Sequence, residues 1–223
     1  MSNQEINAEN PVFSLAASPA YAQDGTCFAV RSTGLIFTQD HGKTWEDALA
    51  SIQSTEPLTV TAVCLSHDFS AQPHVFAGYP GGIIVSRDGG KSWQSTSVPT
   101  PLPVVSTLAV SPHYAHDRCV FAGTMEDGFL LSADGGASWH PWNFGLLDAR
   151  VMGLCVSPNF KTDETIFAAT ETGVFRSFNG GRSWNEVPFD PHLAPVLCLA
   201  ISPDFSQDGT LYAGTESDRK SVV

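Results

Sequence analysis

Two anchors recur along the chain with one period, and together they leave little freedom in how it folds. The first is a hydroxyl residue followed by tryptophan: Thr44-Trp45, Ser92-Trp93, Ser138-Trp139 and Ser183-Trp184. The tryptophans are separated by 48, 46 and 45 residues. The second is a serine, usually before proline, at Ser18, Ser66, Ser111, Ser157 and Ser202, separated by 48, 45, 46 and 45 residues. A fixed period of this length marks a structural repeat that buries its apolar faces only by stacking on its neighbours.

Each repeat reads alike. An apolar strand such as Thr107-Leu108-Ala109-Val110-Ser111 leads into a turn that carries an aromatic residue and then an acid, as in Tyr114 and Asp117. A second strand follows, for example Val120-Phe121-Ala122-Gly123, then a short glycine-bearing loop and a third strand such as Gly173-Val174-Phe175-Arg176-Ser177. A glycine-rich hairpin leads to a fourth strand that begins at the tryptophan. Short β-branched and aromatic runs bounded by Gly, Pro, Asp and Ser are strands and turns. No long stretch carries a 3.6-residue apolar period. Four strands in some forty residues make one propeller blade. The expected fold is therefore all-β: a β-propeller of four-stranded antiparallel blades, four complete repeats plus half a fifth. An extension (1–12) precedes repeats at about 13–58, 59–104, 105–150, 151–195 and a partial one at 196–223. Small residues in the first two strands suit the crowded axis, and Phe and Trp suit the wider gaps between blades.

The hairpins share one pattern, S/T-x-D/N-x-G-x-S/T-W. Its residues are Asp40, Gly42 and Trp45; Asp88, Gly90 and Trp93; Asp134, Gly136 and Trp139; and Asn179, Gly181 and Trp184. The acid can accept backbone N–H groups and close the turn, and asparagine can do the same. The glycine supplies a backbone angle that a Cβ disfavours, and the tryptophan is expected to pin the hairpin on the neighbouring blade. Four identical copies argue for scaffold rather than an active centre. The pattern is that of the Asp-box, or BNR repeat. The chain resembles, over residues 13–216, bacterial BNR-repeat proteins grouped with the glycosidase, photosystem II assembly factor and sortilin-like propellers. The resemblance implies that the boxes lie on the outer rim, away from the central funnel. It identifies a fold and leaves the activity open.

Composition narrows the partners. Lys+Arg number 11 against 23 Asp+Glu, a net charge of −12. Such a surface disfavours nucleic acid, whose binding relies on basic side chains neutralising phosphates. No apolar run is long enough to span a bilayer, and the first ten residues hold no Lys or Arg, so no signal peptide is read there and a cytoplasmic location is expected. The cysteines, Cys27, Cys64, Cys119, Cys155 and Cys198, show no C-x-x-C spacing and are expected as free, buried, small apolar residues. No cofactor or metal is expected. His113, His116 and His140 stand near one another in sequence, but a loop spacing does not define a metal site.

A site on a propeller belongs to the loops at one mouth of the channel. The loops after the second strands hold Glu126, Asp127 and Glu171. A glycosidase needs two facing carboxyls, and Glu126 or Asp127 with Glu171 is the candidate pair. Trp142 and Phe144 are the candidate aromatic platform for a ligand. The leading expectation is nevertheless a non-catalytic scaffold that binds a protein or carbohydrate through its loops, with a glycoside hydrolase as the alternative. The fifth repeat matches only two strands, so a closed ring would need further blades or a second chain, the latter making a homo-oligomer.

Overall fold

The computed structural model describes residues 10–53, 58–216 and, for the backbone alone, 221–222. Five antiparallel sheets follow one another along the chain, and in each the strands pair in sequence order. The innermost strands are Val12–Ala17, Ala62–Leu65, Val105–Val110, Val151–Val156 and Val196–Ile201. The second strands are Cys27–Arg31, Val75–Tyr79, Val120–Thr124, Ile166–Thr170 and Leu211–Thr215. The third and fourth strands complete blades 1 to 4, the fourth being two residues long in each, as at Gln94–Ser95. Innermost strands of successive blades lie side by side, so Phe13, Ala62, Thr107, Leu154 and Cys198, one from each blade, line a common channel of about 290 Å³.

Blade 5 departs from the expected half blade. Its sheet has a third strand, Ser221–Val222, with Val222 opposite Tyr212 and Ser221 opposite Ala213. The free edge of Leu211–Thr215 presents unpaired backbone groups, and a short Ser-Val run suffices to pair with them.

The anchor serines act in the connection between the first and second strands. Ser18, Ser111, Ser157 and Ser202 each donate through Oγ to the carboxylate six residues on: Asp24, Asp117, Asp163 and Asp208, at 2.5–2.6 Å. The other oxygen of the acid accepts a backbone N–H two residues further, as from Cys119 to Asp117 at 2.9 Å. The intervening residues wind into one helical turn, Tyr114–Asp117 in blade 3, where the sequence indicated only a turn. Blade 2 lacks this acid, and there Ser66 Oγ donates instead to the carbonyl of Gln72 at 2.7 Å.

Four apolar cores lie between blades. At one register position the aromatic residue faces the next blade: Phe28, Phe76, Phe121 and Phe167, paired across the sheet with Ala16, Cys64, Ala109 and Cys155. Each of these rings is at most 4% exposed. Burying a phenylalanine side chain stabilises by roughly 1.5–3 kcal/mol, so this aromatic ladder is the main adhesive of the arc. The ladder ends at Tyr212, opposite Ala200, which has no blade beyond it among the described residues and is 52% exposed. At the other end Leu15 is 64% exposed, whereas its counterparts Val63 and Leu108 are 6% and 9% exposed. Of the cysteines, Cys198 is exposed on the channel rather than buried as expected, because it lies opposite Gly214 and not at the interface register that Cys64 and Cys155 occupy.

Candidate functional site

The four hairpins close as their sequence implies. Asp134 takes the hydroxyls of Ser132 at 2.7 Å and Ser138 at 2.6 Å, with the backbone N–H groups of Ala137 and Ser138 at 2.9 and 3.0 Å. Burial opposes its charge, but these bonds, led by those from Ser138, outweigh it and hold the Asp134 carboxyl down to about 2. In the same way Thr44 and Thr38 hold Asp40 low. Asn179 reproduces the arrangement with one bond reversed: its Oδ1 accepts from the Ser183 N–H at 2.9 Å and its Nδ2 donates to Ser183 Oγ at 2.8 Å. Every oxygen of these acids faces its own turn, which leaves the boxes as scaffold.

The box tryptophans reach backwards to the preceding blade. Trp93 Nε1 donates to the carbonyl of Ala48 at 2.8 Å, and Trp184 Nε1 to that of Trp142 at 3.0 Å. Trp139 is buried between blades 2 and 3, although its Nε1 finds no protein partner. Trp45 has no preceding blade among the described residues, pins nothing, and is 41% exposed.

The opposite end of the blades carries the loops after the second strands. Glu126 is exposed and makes no hydrogen bond among the described residues, and the Asp127 N–H is held by Thr124 Oγ1 at 2.8 Å. Glu171 forms an ion pair with Arg150 at 3.0 Å. Beside it, Asp148 accepts from the N–H and hydroxyl of Thr172 at 2.8 and 3.0 Å and from the Arg150 N–H at 3.0 Å. Burial works against the Asp148 charge, yet the backbone bonds from Arg150 and Thr172 prevail and lower its pKa. Asp148 and Arg150 thus clamp the Thr170–Gly173 loop of blade 4 from the connection that leaves blade 3. Glu171 belongs to that clamp, while Glu126 and Asp127 belong to the neighbouring loop.

The two candidate platform aromatics part company. Phe144 is 82% exposed. Trp142 is half-buried against the core between blades 3 and 4, under the guanidinium of Arg182 at 5.2 Å. It lines a cavity of about 460 Å³ on the outside of that interface, and His113, His116 and His140 line the same cavity. Sequence spacing hinted at their neighbourhood, but no group of three or more His, Cys, Asp or Glu among the described residues is placed to hold a metal ion. Cys119 lines the cavity too, and burial, then the charge of Asp117, pushes its thiol up to about 11.

The BNR/Asp-box repeat family matches the sequence over residues 84–95, the hairpin of blade 2. The whole arc superposes on solved propellers of the same kind. Blade 2 carries a BNR/Asp-box repeat, and the hairpins of blades 1, 3 and 4 share its residue pattern. No curated protein matches the sequence. Among solved structures, an ancestral GH74 enzyme shares the fold with a TM-score of 0.71 at 19% identity, over 95% of this chain and 31% of the other. The GH74 xyloglucanase from Xanthomonas campestris gives 0.70 at 17%, over 95% and 35%. YCF48 bound to a D1 peptide gives 0.67 at 15%, over 96% and 63%. The chain therefore spans between 31% and 63% of the length of these relatives, and at such identities the likeness is one of fold. Among the described residues no helix is long and apolar enough to cross a membrane.

For a BNR/Asp-box arc, two features of the site lie outside what the sequence announces. One is the clamp of Asp148 and Arg150 on the next blade's loop, since nothing in the repeat pattern pairs residue 150 with residue 171. The other is the cavity, which arises from a difference between repeats rather than from the motif they share.

Proposed function

We propose that this BNR/Asp-box arc is a non-catalytic binding scaffold that holds a protein partner on its loop face, with Glu126 and Asp127 offering charge to basic groups. One observation carries the reading: Glu171, the acid best placed by sequence to complete a catalytic pair, is tied to Arg150. A glycosidase needs two carboxyls facing the scissile bond, and the Glu171 carboxylate faces the Arg150 guanidinium instead. The clamp keeps the loops in one arrangement, which lowers the ordering cost of binding. YCF48 bound to a D1 peptide is a precedent for a propeller of this kind that holds a peptide. We also propose that the uncovered faces of blades 1 and 5 mate between copies of the chain.

The test is a pair of measurements. Incubation with β-glucan and xyloglucan is expected to release no sugar, and immobilised protein is expected to retain a lysine-rich peptide that Glu126→Lys/Asp127→Lys does not retain. Sugar release that Glu126→Gln or Glu171→Gln abolishes would overturn the scaffold in favour of a glycoside hydrolase.

A further inference from the structure

We propose that the cavity between blades 3 and 4 is a binding site for a small aromatic carboxylate, separate from the loop face.

Cavities lie beside the ladder aromatic at two interfaces, about 280 Å³ at Phe167 and about 460 Å³ at Phe121, and the larger goes with a repeat built differently from its neighbours. The position beside the ladder aromatic on the third strand is Phe37 in blade 1, Val85 in blade 2, Leu131 in blade 3 and Arg176 in blade 4. In blade 1, Phe37 stacks on Phe28 with centroids 5.6 Å apart. In blade 4, Arg176 lies over Phe167 at 5.1 Å and Phe178 at 4.0 Å. Beyond the short Val85, Tyr114 closes on Phe76 at 5.8 Å and accepts or donates a bond with His74 Nδ1 at 2.7 Å. Blade 3 has no stacked phenylalanine and no arginine at this position, although Phe160 meets Phe121 edge-on at 5.3 Å as Tyr114 meets Phe76. Leu131 is short, and its neighbour across the gap is Phe160, which has no hydroxyl to tie down. The glycine of the next box, Gly181, rests on Phe129, and the fully buried ring of Phe121 lies beneath the cavity, covered by Phe160.

The walls define what fits. Trp142, half-buried, gives flat apolar surface beside the nearly buried Phe160 and Leu131, and about 460 Å³ falls within the roughly 300–1,000 Å³ of small-molecule sites. The rim carries Lys161, Arg182 and three histidines in a chain of net charge −12. Two acids also line it, and both are occupied: Asp117 holds Ser111 and the Cys119 N–H, and Glu164 holds Arg182 at 3.2 Å. Arg182 engages protein only through Nη1, bonding Glu164 and the carbonyl of Asn179. Among the described residues its Nε and Nη2, the ammonium of Lys161 and the rings of His113, His116 and His140 hydrogen-bond to no protein atom. A planar ring against Trp142, with a carboxylate turned to Arg182 and Lys161, uses the exposed apolar wall and both cationic side chains. A guanidinium matches a carboxylate in a bidentate geometry, and Arg182 offers Nε and Nη2 for it while Nη1 stays on Glu164.

The probes are 2-naphthoate and its neutral analogue 2-naphthamide, titrated calorimetrically into the 223-residue protein. Naphthoate is expected to bind one per chain and about tenfold more tightly than the amide. Arg182→Ala is expected to erase that preference and leave the fold intact, since alanine already stands at the matching box position, Ala137. Leu131→Phe, which copies blade 1, is expected to abolish binding of both probes. A readout free of variants is protection of Cys119 from N-ethylmaleimide by naphthoate, followed by mass spectrometry. No binding, equal affinity for acid and amide, retained binding in Leu131→Phe, or an unprotected Cys119 would each overturn the site.

Discussion

Gly136 of blade 3 lies directly on the ring of Phe76 of blade 2: a Cβ built on the glycine would stand 2.7 Å from the edge of that ring. Gly90 bears on Phe28 in the same way, at 2.9 Å. The box glycine thus has two duties, a left-handed backbone angle (φ +83° at Gly136) and close contact with the preceding blade. Gly42 has the same angle, +83°, but its nearest neighbour is its own Trp45 at 3.8 Å.

These two glycines separate the duties. Gly42→Ala meets only the backbone strain and is expected to cost about 1 kcal/mol. Gly136→Ala adds a clash inside a packed interface and is expected to cost about 2–4 kcal/mol. Urea titrations of both variants check this. Equal losses would mean that the contact with Phe76 contributes nothing beyond the turn.

The tryptophans make a parallel contrast. Trp184 is 3% exposed, meets the ring of Phe129 edge-on at 4.9 Å and donates to Trp142. Trp184→Ala is expected to cost about 3–5 kcal/mol. Trp45→Ala, at the uncovered end, is expected to cost under about 1 kcal/mol. Thermal unfolding of the two variants decides whether the residue or its place in the arc sets the value.

Most of the fold is legible because the repeat states it several times over. The spacing of Trp45, Trp93, Trp139 and Trp184 carries blade number and strand order, and the residues of the box pattern make the hydrogen bonds their types imply. The end of blade 5 is not legible, because strand pairing there depends on a free sheet edge rather than on a motif. The anchor serine is recognisable by position, but its bond to the acid six residues on emerges only in three dimensions. Trp142 stands out for its ring and does line a cavity, yet the groups around it come from different repeats and from a missing side chain volume at Leu131. A comparison of repeats position by position, asking where Phe37 and Arg176 have a smaller counterpart, is the signal that points there.

The box carboxylates make stability depend on acid. Asp134 is lowered in the folded state to about 2, against about 3.9 in an unfolded chain. A depressed carboxyl stabilises the fold above the unfolded value, and that contribution is lost as pH falls through the folded value, so the window is about pH 4 down to about 2. Asp134→Asn, which copies Asn179 of blade 4, is expected to keep the turn but to flatten this part of the stability curve. The gap between native protein and variant should narrow as pH is lowered from about 5 to about 2. A constant gap would show that the charge of Asp134 is not what the acid removes.

The last relationship joins the two ends of the arc. Leu15 is 64% exposed on blade 1 and Tyr212 is 52% exposed on blade 5, yet at the four interior interfaces these register positions are packed against one another's blades. Each molecule therefore carries one face of each kind, and under the proposed pairing a copy of the same chain supplies the mate to both. The contact is head to tail, so it either closes into a ring or grows. Protein of these 223 residues is expected to show a mass above that of one chain by light scattering, increasing with concentration. Leu15→Glu and Tyr212→Lys should each give monomer alone, since every contact uses one of each face. Mixed together they should form a pair and stop, through the intact Tyr212 face of the first and the intact Leu15 face of the second. A single-chain mass at all concentrations for the unaltered protein, or a mixture that stays monomeric, would sink head-to-tail pairing.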